Sequence, residues 1–155
     1  EHTRIFLYGF GSSGLAAQEF QLRLLRLGMD AEAITELHQM VLNEARITNA
    51  CLVIGISLSG ATRELIDALD RAKARGAAVI YLTSSNAERE KRTYEEIVLA
   101  PVKKNLEYGN VISPQFPILL ILDLIYAQLL KEDRRSTEAQ YDTHIWERIK
   151  DYHVG

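Results

Sequence analysis

Short apolar runs rich in β-favouring residues alternate with stretches of helical spacing along most of the chain. This alternation limits the fold more than any other feature. Arg4 to Tyr8 is the first such run, closed by Gly9, and a run this apolar reads as a strand buried on both faces. A helical stretch follows from about Gly14 to Leu27, with Ala16, Phe20, Leu24 and Leu27 on one stripe and Gly28 as its stop. Ala31 to Thr35 is a second strand, and Leu37 to Ile47 has helical spacing again. Cys51 to Ile56 is the strongest strand signal. Ala61 to Arg75 is a helix with Leu65, Ile66, Leu69 and Ala72 inward, Arg71, Lys73 and Arg75 in its last turns, and Gly76 as its stop. Ala78 to Leu82 is a fourth strand. After a polar loop or short helix, Ser84 to Arg92, Glu96 to Ala100 is a fifth. Repeated β-α units give a parallel sheet with helices on both faces, an α/β three-layer αβα sandwich.

The last third is helical. Ser113-Pro114 has the form of a helix start, a hydroxyl cap followed by proline at the first helical position. The helix it opens runs to about Leu130 and is apolar almost all round, which predicts burial in the domain or against another subunit. Lys131 to Ser136 reads as a polar break before a final amphipathic helix, Thr137 to Tyr152, with Tyr141, Ile145, Ile149 and Tyr152 on one stripe. The expected organisation is one domain over residues 1–133 and a helical extension of it over 134–155. The chain opens at Glu1, without methionine, and reaches strand residues almost at once. It reads as an excised domain whose N-terminal neighbour is missing.

Composition excludes several classes. Eighteen Lys and Arg against 21 Asp and Glu give a net charge of -3, the wrong sign for a chain that grips nucleic acid by itself. One cysteine, Cys51, leaves no disulfide framework and no Cys-rich zinc site, and it reads as a small core residue. His2, His144 and His153 lack metal-ligand spacing, so neither a metal nor a cofactor is expected. The apolar run Phe116 to Leu130 carries Pro117, Asp123 and Gln128 and is too short and interrupted to span a bilayer. Asp123 reads as a paired or capped polar residue at an interface. With no signal peptide or lipidation motif in this sequence, a cytoplasmic location is expected.

In an open parallel sheet, ligands bind beyond the carboxyl ends of the strands. The residues there are Gly9-Phe10-Gly11-Ser12-Ser13-Gly14, then Ser57-Leu58-Ser59-Gly60-Ala61-Thr62, then Thr83-Ser84-Ser85. These loops are rich in hydroxyls. Only Arg63, at the margin of the second, is basic. Ser57, Ser59 and Thr62 lie where the central strand ends and a helix begins, and Gly60 permits a tight turn there. Free N–H groups and the helix dipole complete an anion cradle without lysine, suited to a phosphate group. A hydroxyl-rich helix cap is the simpler alternative. Gly9, Gly11 and Gly14 also match Gly-x-Gly-x-x-Gly, with Glu36 placed for a ribose-binding acid, so nucleotide binding stays open. The bland reading of the same glycines is close packing of the first helix on the sheet.

The two motifs, Gly9 to Gly14 and Ser57 to Glu64, resemble the sugar isomerase (SIS) domain, a phosphosugar-binding module. The likeness runs from about Arg4 to Leu130. It is closest to the C-terminal effector domain of RpiR-type transcription regulators, whose N-terminal helix-turn-helix domain would be the part missing here. The resemblance implies a flavodoxin-like five-stranded sheet and a homodimer or higher oligomer. It also implies that Ser13, Ser57, Ser59 and Thr62 hold a sugar phosphate. Gly11, Ser12, Gly60, Ser84 and His38 join them as candidate contacts, with Ser85 as an alternative to Ser84. Many relatives have Glu where Ala61 stands. The function implied is phosphosugar sensing that modulates DNA binding by the absent domain. The alternative is an aldose-ketose isomerase, which needs a general acid or base. His38, Glu64 and Glu36 are its candidates. For His38 the competing role is a sugar or interface contact, and for Glu64 favourable charge in a helix's first turn.

Overall fold

The computed structural model describes residues 4–58, 62–84, 93–99 and 115–136. Five strands, β1 (Arg4–Gly9), β2 (Ala31–Ile34), β3 (Cys51–Ser57), β4 (Ala78–Thr83) and β5 (Glu96–Leu99), form one sheet in the order β2-β1-β3-β4-β5, and every pairing is parallel. Helices α1 (Gly11–Arg26), α2 (Leu37–Asn43), α3 (Arg63–Ala74) and α4 (Phe116–Ser136) complete the described elements, with a 3-10 turn at Glu44–Arg46. The strand order reverses after β2. Right-handed crossovers therefore put α1 on one face of the sheet and α2 and α3 on the other. The ion pair between Arg23 of α1 and Asp123 of α4 sets the start of α4 beside α1 and makes Asp123 the paired polar residue the sequence suggested.

Side chains alternate across the pleat. Phe6, Tyr8, Val53, Val79 and Tyr81 face one way and bury against Leu65, Leu69 and Ala72 of α3 and Met40 of α2. Leu7, Ile56 and Leu82 occupy the alternate positions, and Ala16, Ala17, Phe20 and Leu24 of α1 and Ile118 and Leu122 of α4 are buried with them. Cys51 is a buried core thiol, as expected.

Several boundaries differ from the sequence expectation. α1 begins at Gly11, not Gly14. Gly11 takes φ +53, which turns the chain off β1 so sharply that the N–H groups of Ser13 and Gly14 already donate to the Phe10 carbonyl (3.1 and 3.2 Å). The segment Leu37 to Ile47 is not one helix; α2 stops at Asn43 and tightens into the 3-10 turn. The polar break at Lys131 to Ser136 is also wrong, because α4 runs through it. Lys, Glu and Arg are good helix formers, and a polar stretch without Gly or Pro changes which side faces water without ending the helix. α4 is apolar on more than its buried side: Phe116 and Leu120 are 58% and 47% exposed. The predicted start at Ser113-Pro114, most of the loop Ser84 to Arg92, and the final helix Thr137 to Tyr152 lie outside the described residues. By contacts the chain divides into one compact unit ending at Asp123 and another beginning at Leu124. In the second, Gln128 donates to Glu132 one turn on (3.4 Å).

Candidate functional site

At the carboxyl edge of the sheet a cleft of about 180 Å³ is lined by Phe10, Ser12, Ser13, Ile56, Ser57, Leu58 and Thr62. It lies where β1 and β3 end and α1 and α3 begin, so two helix N-termini border it. This is the crevice a parallel sheet leaves where its strand order reverses.

The glycines after β1 are used in packing. A Cβ on Gly14 would stand 2.8 Å from the Gly9 carbonyl oxygen and 3.0 Å from Thr35 Cγ2, and one on Gly9 would stand 2.9 Å from the Ser13 carbonyl. The first turn of α1 therefore rests directly on the β1 backbone. The bland reading of Gly-x-Gly-x-x-Gly accounts for Gly9 and Gly14, and the remaining glycine, Gly11, makes the turn. Close packing carries Ser12 and Ser13 into the cleft wall, with Ser13 only 9% exposed. No acidic residue stands in this first turn.

On the other side Ser57 closes β3, 4% exposed, and Thr62 is the N-cap residue of α3. Threonine in that position ordinarily accepts a hydrogen bond from the helix's first turn. Here its side chain makes no capping bond; its hydroxyl shares a 3.3 Å hydrogen bond with that of Ser57. The helix ladder begins with Ile66 N–H on the Thr62 carbonyl (3.2 Å). The N–H groups ahead of it have no carbonyl behind them in the helix. This differs from the plain hydroxyl-cap alternative, since the hydroxyl that would cap α3 is turned toward the cleft wall.

The structure thus brings Ser12, Ser13, Ser57 and Thr62 together. Gly11 starts α1 beside them without lining the cleft. Ser59, Gly60 and Ser85 lie outside the described residues. Ser84 does not line the cleft: its N–H (3.2 Å) and its hydroxyl both donate to the Leu58 carbonyl. His38, second residue of α2, and Glu36, that helix's N-cap residue, are exposed and are not among the lining residues. Glu64, in the first turn of α3, is exposed and likewise absent from the lining. Sequence reasoning missed Phe10, which forms an apolar wall of the cleft and packs partly on the core. Its place between Gly9 and Gly11 was the available signal. Displaced pKa values belong to other places. Burial raises that of Tyr8, against the opposing effect of its bond from Asn43 (2.8 Å). The hydrogen-bonded Arg46 guanidinium lowers that of Glu32. Among the described residues no group of three or more His, Cys, Asp or Glu is placed to hold a metal ion, and no helix is long and apolar enough to cross a membrane.

Comparison with known proteins bears on this geometry. A family model described as the SIS domain matches residues 1–120. Uncharacterized HTH-type transcriptional regulators of Clostridium perfringens and Haemophilus influenzae are 32% and 33% identical over 83% of this chain. The chain spans 46% and 44% of their lengths. The sugar isomerase domain of the RpiR transcription factor from Sphaerobacter thermophilus is similar in structure, with a TM-score of 0.75 at 21% identity over 86% of this chain and 73% of that one. So is the Vibrio vulnificus NanR protein complexed with ManNAc-6P, with a TM-score of 0.78 at 21% identity over 99% of this chain and 58% of that one. The phosphoheptose isomerase GmhA from Neisseria gonorrhoeae has a TM-score of 0.68 at 19% identity, covering 83% of this chain and 76% of its own.

Proposed function

The chain belongs to the SIS domain family, and from that premise we propose that its cleft holds the phosphate of a sugar phosphate and that the domain is the effector-binding part of a transcription regulator. One observation carries the reading. Thr62 makes no side-chain cap on α3, and its hydroxyl instead bonds that of Ser57 in the cleft lining, beside the N-terminus of α3. Unpaired N–H groups, the helix dipole and short hydroxyls form a site for an oxyanion. Ser12 and Ser13 add donors from the α1 side, and Ser59 and Gly60 are part of the proposal by their place in the sequence alone. The sugar lies toward Phe10.

The regulators similar in sequence support the sensing role, as does the sugar phosphate bound to NanR. DNA contact then belongs to a helix-turn-helix segment outside this chain, and the protein works in the cytoplasm. The exposed Phe116 and Leu120 support self-association through α4, with ligand shifting that helix and so the spacing of paired DNA-binding segments. Such a shift requires ligand to bind the two states with different affinity. A thermal-shift screen of sugar phosphates against the same unphosphorylated sugars tests the site. Stabilisation by the phosphorylated forms alone supports it, and none by either defeats it. DNA affinity of the full-length protein, unchanged by a stabilising sugar phosphate, would defeat the sensor role.

Likeness to an isomerase keeps catalysis as the second reading. Isomerisation needs a proton-transferring group at the sugar, yet the described lining offers hydroxyls and apolar groups, and His38 and Glu64 stand outside it. Binding without turnover is the better fit. Conversion of a sugar phosphate, lost in His38→Ala or Glu64→Gln, would reverse that choice.

A further inference from the structure

The loops after β3 and β4 are joined at one carbonyl. Ser57 and Thr83 are partners in the sheet register, so Leu58 and Ser84, the next residues of each strand, come side by side. The Ser84 N–H donates to the Leu58 oxygen (3.2 Å) just beyond the ends of the two strands. The bond from the Ser84 hydroxyl to the same oxygen is additional and depends on the side chain. Leu58 lines the cleft between Ser57 and Thr62, while Ser84 does not line it. With its proton committed to Leu58, the Ser84 hydroxyl is poorly placed to donate to a ligand as well.

We infer that Ser84 is a positioning residue for the proposed phosphate site: by holding the Leu58 carbonyl to the end of β4, it fixes the backbone on which Ser57 and Thr62 face each other. This rests on the phosphate reading of the cleft and gives Ser84 an indirect role in place of a direct sugar contact. Removing the hydroxyl loosens Leu58 and weakens binding of the phosphate group itself, whatever sugar it carries.

The decisive pair is Ser84→Thr and Ser84→Val, similar in shape and different in the hydroxyl, beside Ser84→Ala. Binding of inorganic phosphate is followed by phosphorus NMR, and ManNAc-6P is titrated in parallel at a temperature where circular dichroism shows each variant folded. Loss of one hydrogen bond to a backbone carbonyl predicts phosphate binding weaker by about three- to tenfold in the Val and Ala variants, with Thr close to the parent chain. Equal phosphate affinity in the Thr and Val variants would overturn the inference. So would a loss confined to ManNAc-6P, which marks a direct sugar contact. A parent chain that binds neither compound overturns the proposed function itself, and this inference with it.

Discussion

The two edges of the sheet are built from opposite materials. At the carboxyl edge, α1 and α3 begin without side-chain caps, and the described cleft lining is hydroxyl and apolar with no charged side chain. At the amino edge, charges are matched in pairs. Arg4 reaches Asp30 (3.3 Å) and Glu32 (3.5 Å), and Arg46 donates to Glu32 (2.9 Å). Both guanidinium groups also lie over the Phe6 ring, 5.4 and 5.1 Å from its centroid. Glu44 receives Arg71 (3.3 Å) and Arg75 (3.4 Å) from the end of α3, and Lys73 pairs with Glu95. Basic residues at a helix C-terminus suit its dipole. α3 is therefore neutralised at its carboxyl end and left open at its amino end. One edge braces the sandwich, and the other is where the proposed ligand would sit.

Under that division, loss of a polar side chain at one edge leaves the other's property intact. The largest expected effect is at the open edge. A sugar phosphate at 100 times its Kd stabilises the fold by about 2.7 kcal/mol, and the double substitution Ser57→Ala with Thr62→Ala removes that gain in a thermal-shift assay. A gain that survives the double substitution would break the comparison. Next is Gly14→Ala, whose methyl group meets the Gly9 carbonyl. The expected cost is about 1–3 kcal/mol in urea unfolding. Ligand binding falls with it, because Ser12 and Ser13 move with the helix.

Smaller effects belong to the braced edge. Glu32→Gln is expected to lower stability by no more than about 1 kcal/mol, since the pairs it breaks are partly exposed, and to leave phosphate affinity unchanged. A changed affinity would show that the edges are coupled. The pH dependence has a definite sign. The pKa of Glu32 is lowered in the folded state by the hydrogen-bonded Arg46. Its stabilisation is full above the ordinary glutamate range and disappears as pH falls through the lowered value. Unfolding curves of the parent chain and Glu32→Gln should therefore converge in acid and separate toward neutrality.

Much of the open edge was legible from sequence because it is local. Strand, hydroxyl and helix start lie within a few residues of each other, so Ser57 and Thr62 could be placed from the pattern alone. The use made of Thr62 was not legible, because a capping hydroxyl and one turned to Ser57 have the same sequence. The early start of α1 was hidden by Gly11, whose permissive backbone reads equally as loop. The braced edge went unread for a different reason. Arg46 and Glu32 are 14 residues apart and Arg75 and Glu44 are 31 apart, so only the packing of the 3-10 turn beside β2 and the end of α3 brings them together. The bond from Ser84 to Leu58 was not legible either, since a hydroxyl's backbone partner depends on a carbonyl the pattern does not place.

The described lining of the cleft, hydroxyl and apolar, offers no side chain that titrates near neutrality. For the proposed phosphate ligand, a change of affinity with acidity is then expected from the ligand's own ionisation. A phosphate monoester gives up its second proton near pH 6, so occupancy should follow that ionisation as though the protein were a fixed mould.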